Sequence, residues 1–551
     1  MRFTIRSFIV ALVLGALLAP AAQASQQQTS IMMDDDLLVY RDDATAARAL
    51  TQMKSLGVDT IRVTVLWSVV ANNARPTKAE ISKLETVSAK DRARRQARRF
   101  KGANPSTYPR QNWDRYDNLL KAAADRGIKV YFNVTGPPPL WASTKPPKGV
   151  KVPLGTYKPK LAAFKQYVTA VGTRYSGGYR DENGSRGLLP RVSFWSLWNE
   201  PNQGGWLTPQ WETRGGQKVA TSPILFRKLY QFGYEGLVSS GHRADNDVIL
   251  LGETAPLGSD SQTERSAMRP KQFLRELFCI GPDGLPYTGQ AASVRECGDF
   301  SAKGPLRANG YAHHPYTKNV SPLSRDANPD ALTMANIDEL GTLLDDISAK
   351  TNNVASGMPL FMTEFGFETN PPDPFSGIPP ALQAKFNVLG EFQAYSNPRI
   401  ASQAQFLLDD VPPIRKRKRG SKGYWFTYQS GLFFRGRTQR IAKPAAFSYA
   451  MPFLATPVAV DPATGSATFS FWGQLRFLPN GLTANAYIQV RPKDASLDWA
   501  IASPPIPVNN LGYFTAVITN PYPGVPVEWR SVALSDIDGS VVSSSPGTDG
   551  T

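Results

Sequence analysis

The 551-residue sequence contains three histidines, His242, His313 and His314, and their spacing forms no metal-ligand signature. Neither a metal nor an organic cofactor is expected. No glycine-rich dinucleotide fingerprint follows the first strand-like segment, which argues against a nucleotide-binding doubly wound sheet. Beyond residue 24 no stretch is apolar enough to cross a bilayer, so no transmembrane segment is expected. There are only two cysteines, Cys279 and Cys297. No nucleic-acid motif accompanies the basic residues, although the formal net charge is +17.

That charge is concentrated in two places. Arg92, Arg94, Arg95, Arg98, Arg99 and Lys101 lie in a polar insertion from about residue 71 to 109, and Arg415-Lys416-Arg417-Lys418-Arg419 forms a second run. Either can be a solvated face. The partner they suggest is an anionic cell envelope or an acidic glycan, not nucleic acid. At the N-terminus, Arg2 and Arg6 precede an apolar run from Phe8 to Leu18, and Ala22-Gln23-Ala24 offers a small-x-small cleavage site. Residues 1–24 therefore read as a signal peptide, and the mature chain as secreted, extracellular or envelope-associated. In an oxidising compartment Cys279 and Cys297 are expected to form a disulfide; the alternative is two unrelated buried thiols.

From residue 25 to 455 strand-like and helical segments alternate. The strands are Ile31 to Leu38, Thr60 to Trp67, Ile128 to Val134, Arg191 to Glu200, a segment from Val248, Asn309 to Tyr316, Pro359 to Phe365 and Ile400 to Asp409. Gly423 to Gln429 competes for the eighth place. Eight such units predict a parallel (β/α)8 barrel, with an open doubly wound sheet as the alternative. From about 456 to 541, short alternating runs between Gly, Pro and Asn turns predict a small β-sandwich. The Ser/Gly-rich residues 542–551 read as a disordered tail. A monomer is expected.

Two carboxylates end strands on opposite sides of such a barrel. Glu200 closes Phe194-Trp195-Ser196-Leu197-Trp198-Asn199-Glu200-Pro201, and Glu364 closes Met362-Thr363-Glu364-Phe365-Gly366. Barrel chemistry sits at the carboxyl ends of strands. A facing pair of carboxylates is what glycoside hydrolysis needs, one as acid and one as nucleophile or base.

Trp198-Asn199-Glu200-Pro201 together with Thr363-Glu364-Phe365-Gly366 resembles clan A of the glycoside hydrolases, the retaining (β/α)8 glycosidases. The chain is similar to the cellulase-like family 5 and, more loosely, to family 39. The resemblance implies a β-linked oligo- or polysaccharide as substrate, with Glu200 as acid/base and Glu364 as nucleophile. It implies that Asn199 binds a sugar hydroxyl, that Arg62 in Ile61-Arg62-Val63 holds the nucleophile, and that Tyr316 in His314-Pro315-Tyr316 touches it. The chain departs from family 5 after its third strand, where Tyr131-Phe132-Asn133-Val134-Thr135 lacks the usual histidine. At the eighth strand Ala404 and Gln405 stand where a tryptophan is usual, and Trp425 is the substitute expected there. Trp67, Trp141 and Trp206 are candidate sugar platforms, each equally readable as packing. Arg62 can instead be a structural partner of a buried Asp, and His313 reads as a satisfied core histidine. The alternatives on the same scaffold are a catalytically weak polysaccharide-binding protein and a transglycosylase.

Overall fold

The computed structural model describes residues 28–183, 187–436, 440–493, 497–534 and 540–549; the expected leader, 1–24, lies outside them. Eight parallel strands close into a barrel: β1 (Thr29–Met33), β2 (Thr60–Leu66), β3 (Lys129–Thr135), β4 (Phe194–Leu197), β5 (Val248–Thr254), β6 (Gly310–His313), β7 (Leu360–Phe365) and β8 (Ile400–Phe406). Each pairs with its sequence neighbours, and β1 pairs with β8 to complete the ring. The eight intervening helices are α1 (Asp43–Ser55), α2 (Arg110–Ala124), α3 (Leu161–Arg174), α4 (Thr221–Ser239), α5 (Pro270–Leu277), α6 (Asp338–Thr351), α7 (Pro380–Ser396) and α8 (Pro444–Ala450).

Local chemistry sets the boundaries. The first strand was expected to run to Leu38, but it stops at Met33. The Asp34 carboxylate accepts from Leu37 N and caps a short helix, Asp35–Leu38. Asp42 caps α1 in the same way, and Gly57 follows its end at φ 82°. A Cβ on Gly57 would lie 1.8 Å from the carbonyl oxygen of Arg476, so the glycine also admits the second domain. The competing eighth-strand segment, 423–429, is irregular and belongs to the loop after β8.

Cys279 and Cys297 are bonded, as expected, and clasp the segment after α5. No helix among the described residues is long and apolar enough to cross a membrane. The barrel interior is filled, not open. Tyr131, Leu250 and Ala312 pack with Phe194, Val248 and Phe361, and the Tyr131 and Phe194 rings stack at 4.2 Å. This plug is the floor on which the polar groups of the mouth stand.

The remaining chain forms two antiparallel sheets around Phe469, Phe471, Ile488, Val490, Phe514 and Trp529. The tail does not read as the sequence suggested. Val541–Ser544 and Thr548–Asp549 are strands, both paired with Val527–Leu534, because that strand's edge offers them ladder partners. Several aromatics that invite a sugar-platform reading are used internally. Trp529 is fully buried in the sandwich core, while Trp472 and Tyr513 pack on Val388, Phe392 and Tyr395 of α7. Trp499 lies beneath the guanidinium groups of Arg491 and Arg530.

Candidate active site

The carboxyl ends of the barrel strands bring Arg62, Glu200, Glu253, His314 and Glu364 together. Strand β4 ends at Leu197, and the next residues leave the ladder with positive φ: Trp198 at 75° and Glu200 at 38°. Non-glycine residues rarely adopt this conformation, and here it turns Glu200 over the mouth. Its amide donates to Glu253 O at 2.8 Å, which anchors the turn to the neighbouring strand.

Glu364 is held on both oxygens. Arg62 Nη1 donates to Oε1 at 2.8 Å, and the Tyr316 hydroxyl donates to Oε2 at 3.0 Å. Glu200 is held by His314, whose Nδ1 lies 3.0 Å from Oε1. One oxygen of each glutamate and a ring nitrogen of His314 all lie within 4.8 Å of one another. Asn199 turns its amide oxygen to Arg62 Nη2 at 2.8 Å, and its Nδ2 bonds no described residue. Only the oxygen of that amide can accept from a guanidinium, so the donor end faces away from Arg62.

Glu253 was not among the residues singled out from the sequence. It is the penultimate residue of β5, has φ 55° and is fully buried. Five side chains donate to it. Arg62 Nη2 lies at 3.1 Å, His314 Nε2 at 2.7 Å, Ser196 Oγ at 2.6 Å and Thr363 Oγ1 at 2.7 Å. The Tyr131 hydroxyl donates to it as well, and Asn133 Nδ2 supports Ser196 at 2.8 Å. Burial by itself would raise the Glu253 carboxyl. The Arg62 charge and the His314 hydrogen bond outweigh burial and hold it well below the usual carboxylate range. His314 is pushed the other way. Burial would lower it, but the Glu364 charge and hydrogen bonds to Glu200 and Glu253 bring it up to about 10. Arg62 is fully buried, and Glu253 and then Glu364 overcome the burial penalty on its charge.

By spacing alone Glu200, His314 and Glu364 also resemble a metal-ligand group. Both ring nitrogens of His314 are already engaged, Nδ1 by Glu200 and Nε2 by Glu253.

The other sequence candidates separate clearly. Trp67 was expected as a strand-end sugar platform. It is instead fully buried, stacked on Tyr167 at 5.2 Å, tilted against Phe164 and edge-on to Trp141, because it begins a helical turn that points it into the core. Trp141 is half-buried, with Arg75 over its ring at 5.2 Å. Trp425 was expected to replace the eighth-strand tryptophan, but its ring contact is Tyr424, edge-on at 5.1 Å. Burial and then the charges of Glu200 and Glu364 push the Tyr428 hydroxyl up, so Tyr428, like Tyr316, lies near the mouth. Its ring is 57% exposed and stands edge-on to Phe406 at 5.2 Å, and Phe406 in turn edges Tyr316. The aromatic density of Tyr424-Trp425-Phe426-Thr427-Tyr428 was the available signal; the sequence does not say which ring faces the mouth. His313 is a satisfied core histidine, bonded to Thr254 Oγ1 at 2.8 Å and Leu332 O at 2.9 Å.

No protein-family model matches the chain, and no curated protein matches it in sequence. Solved structures resemble it in fold. A glucosidase from Croceicoccus marinus matches at 10% identity and TM-score 0.44, over 94% of this chain and 97% of that one. GH5_18 from Streptomyces cattleya, in complex with GlcNAc, matches at 13% and TM-score 0.41, over 77% of this chain and 78% of that one. A hyperthermophilic β-glucosidase mutant matches at 13% and TM-score 0.42, over 78% of this chain and 99% of that one. At such distances the chemistry has to be read from this site's own geometry.

Proposed function

We propose that the chain is a secreted retaining glycosidase acting on a β-linked glycan. The observation that carries this is the spacing of the two glutamates. An oxygen of Glu200 comes within 4.8 Å of one on Glu364, with Arg62 and Tyr316 on the latter and His314 on the former. Retaining pairs stand about 5–5.5 Å apart, whereas inverting pairs leave room for a water at about 6.5–9.5 Å.

In this reading Glu364 attacks the anomeric carbon. Glu200 gives its proton to the glycosidic oxygen, the bond to that oxygen breaks, and a glycosyl ester forms on Glu364. Water then gives a proton to Glu200 and its oxygen to the anomeric carbon, which frees Glu364. Arg62 and Tyr316 hold the two Glu364 oxygens before attack, so little orientation has to be lost at the reacting moment. Asn199 Nδ2 donates to a sugar hydroxyl. His314 stabilises the carboxylate left on Glu200 after its proton has gone. Glu253 is the fixed anion beneath them. Secretion through the 1–24 leader is part of the proposal, and the Cys279–Cys297 disulfide supports an oxidising destination. Amino-terminal sequencing of the exported protein tests it.

The activity test is a panel of aryl β-glycosides, with the product anomer followed by proton NMR. The β-anomer is expected first, and Glu364→Gly should lose turnover by on the order of 10⁴-fold. An α-anomer formed first would refute retention. Equal, negligible turnover by the wild type and Glu364→Gly would leave a glycan-binding protein instead. Products longer than the substrate would assign the second step to a sugar acceptor, making the enzyme a transglycosylase.

A further inference from the structure

The rim of the barrel carries a second concavity that the two glutamates do not use. A groove of about 500 Å³ is lined by Arg75, Lys78, Arg94, Arg98, Trp141 and Lys160, with Ile81 and Ala97 as apolar wall. Arg75 lies on the segment that follows β2 and its helical turn, and Trp141 on the segment that follows β3. The groove therefore opens on the carboxyl side of the barrel, the side on which Glu200 stands.

Charge is unusually one-sided here. Residues 75–101 hold ten Lys and Arg against three Asp and Glu. Two of the three acids are already engaged: Glu80 closes the capping box of Thr77, and Asp91 pairs with Arg94 at 2.9 Å. Among the described residues Arg75, Lys78, Arg98 and Lys160 have no carboxylate within ion-pair distance. The helix that supplies Arg94 and Arg98, Val87–Arg99, buries only Ala93. A helix with so little packed face contributes little to a core; what it presents is cations. The groove is also shaped, not merely charged. The Arg75 guanidinium lies over the Trp141 ring at 5.2 Å, Phe100 and Trp67 hold that ring edge-on at 5.3 and 6.3 Å, and Lys160 Nζ donates to Trp141 O at 2.7 Å.

We infer that this groove is a subsite for a carboxylated polysaccharide, one built with uronic acid residues, lying beyond the catalytic pair; the inference rests on the glycosidase reading of the mouth. A uronate has an apolar ring face and a carboxylate at its edge, which matches an apolar wall bordered by arginines. Guanidinium groups take carboxylates in paired hydrogen bonds. A concavity of this size suits a short run of sugar rings. A nucleic acid duplex would need a broad cationic stripe instead.

The experiment uses the full chain and two β-linked probes, an oligomannuronate and its carboxyl-reduced counterpart, with single-stranded DNA of equal charge as a third. Affinity is measured by calorimetry at two salt concentrations. The variants are Arg75→Glu with Arg98→Glu, and as control Lys416→Glu with Lys418→Glu, which makes the same charge change on the other basic segment. The wild type should bind the carboxylated probe at least tenfold tighter than the reduced one. The groove variant should lose at least tenfold of that affinity and the control no more than twofold, with unchanged melting temperature and aryl glycoside turnover. Equal affinity for the two sugars, or equal loss in both variants, would overturn the inference. So would DNA binding tighter than oligomannuronate and abolished by the groove variant. Preferential carboxylate binding without any glycoside turnover would sustain the subsite and sink the glycosidase reading.

Discussion

Arg476 at the domain seam and Arg62 at the barrel mouth are both arginines buried against a glutamate. Where the sandwich meets the barrel, Arg476 faces Glu391 of α7 through two hydrogen bonds, at 2.5 and 3.2 Å, and its remaining donors go to Tyr449 O and Gln474 Oε1. The Tyr449 ring covers the guanidinium at 4.2 Å. One charge meets one charge. At the barrel mouth Arg62 is divided among Glu364, Glu253 and Asn199, His314 bridges Glu200 and Glu253, and Trp198, Glu200 and Glu253 all have positive φ. A pair that only joins two surfaces needs neither shared partners nor a strained backbone. Three carboxylates gathered on two cations would repel one another in any arrangement serving stability alone, so the mouth is organised for a task.

Variants at the two places should behave oppositely. Glu253→Gln leaves Arg62 and His314 without their fixed anion. Turnover should fall on the order of 100-fold, and stability by about 3–5 kcal/mol, the usual result of breaking a buried pair from one side. The pH–rate profile should also shift, which a purely structural loss would not cause. Replacing both interface partners, Arg476→Met with Glu391→Leu, should leave kcat/KM unchanged within about twofold and stability within about 2 kcal/mol, since apolar replacement of a whole buried pair is often neutral. Activity lost with that double variant would erase the distinction.

His314→Gln gives a subtler separation, read by pH. The folded-state value of His314, about 10, lies above its ordinary 6.5, so the stability it contributes is complete below about pH 6.5 and is lost as pH rises through 10. The melting-temperature advantage of wild type over His314→Gln should therefore be largest near pH 6 and shrink toward pH 10. An advantage independent of pH would mean the ring acts by packing. The smallest effect is expected at Tyr428→Ala, which removes an exposed ring that makes no hydrogen bond to the charged cluster. KM should rise about fivefold with kcat nearly constant, the size of about 1 kcal/mol of ring contact.

The barrel was legible because its signals are local. Apolar runs and helical spacings mark β2 to β7 and their helices within a few residues of where they lie. Glu200 and Glu364 were legible for the same reason, since each ends a recognisable strand. Glu253 carries an equally clear tag, Gly252-Glu253-Thr254 at the end of an apolar run. Nothing in that tripeptide shows that five side chains from around the barrel converge on it. Trp67 failed in the opposite direction: a strand-end tryptophan looks like a sugar platform until Tyr167, a hundred residues later, is found against its face. The last strands, Val541–Ser544 and Thr548–Asp549, look like a polar tail because their stability comes from an edge supplied by Val527–Leu534.

The sequence by itself determined the order of strands and helices, and with it the closed barrel that puts the fourth and seventh strand ends on one mouth. Periodicity and turn residues suffice for that, since each acts over a few positions. Only the tertiary structure decided that Glu253 is held ionised and His314 charged, and which aromatic rings face outward. Charge states depend on burial and on neighbours within a few ångströms, and those neighbours, from Arg62 to Glu364, are three hundred residues apart in the chain.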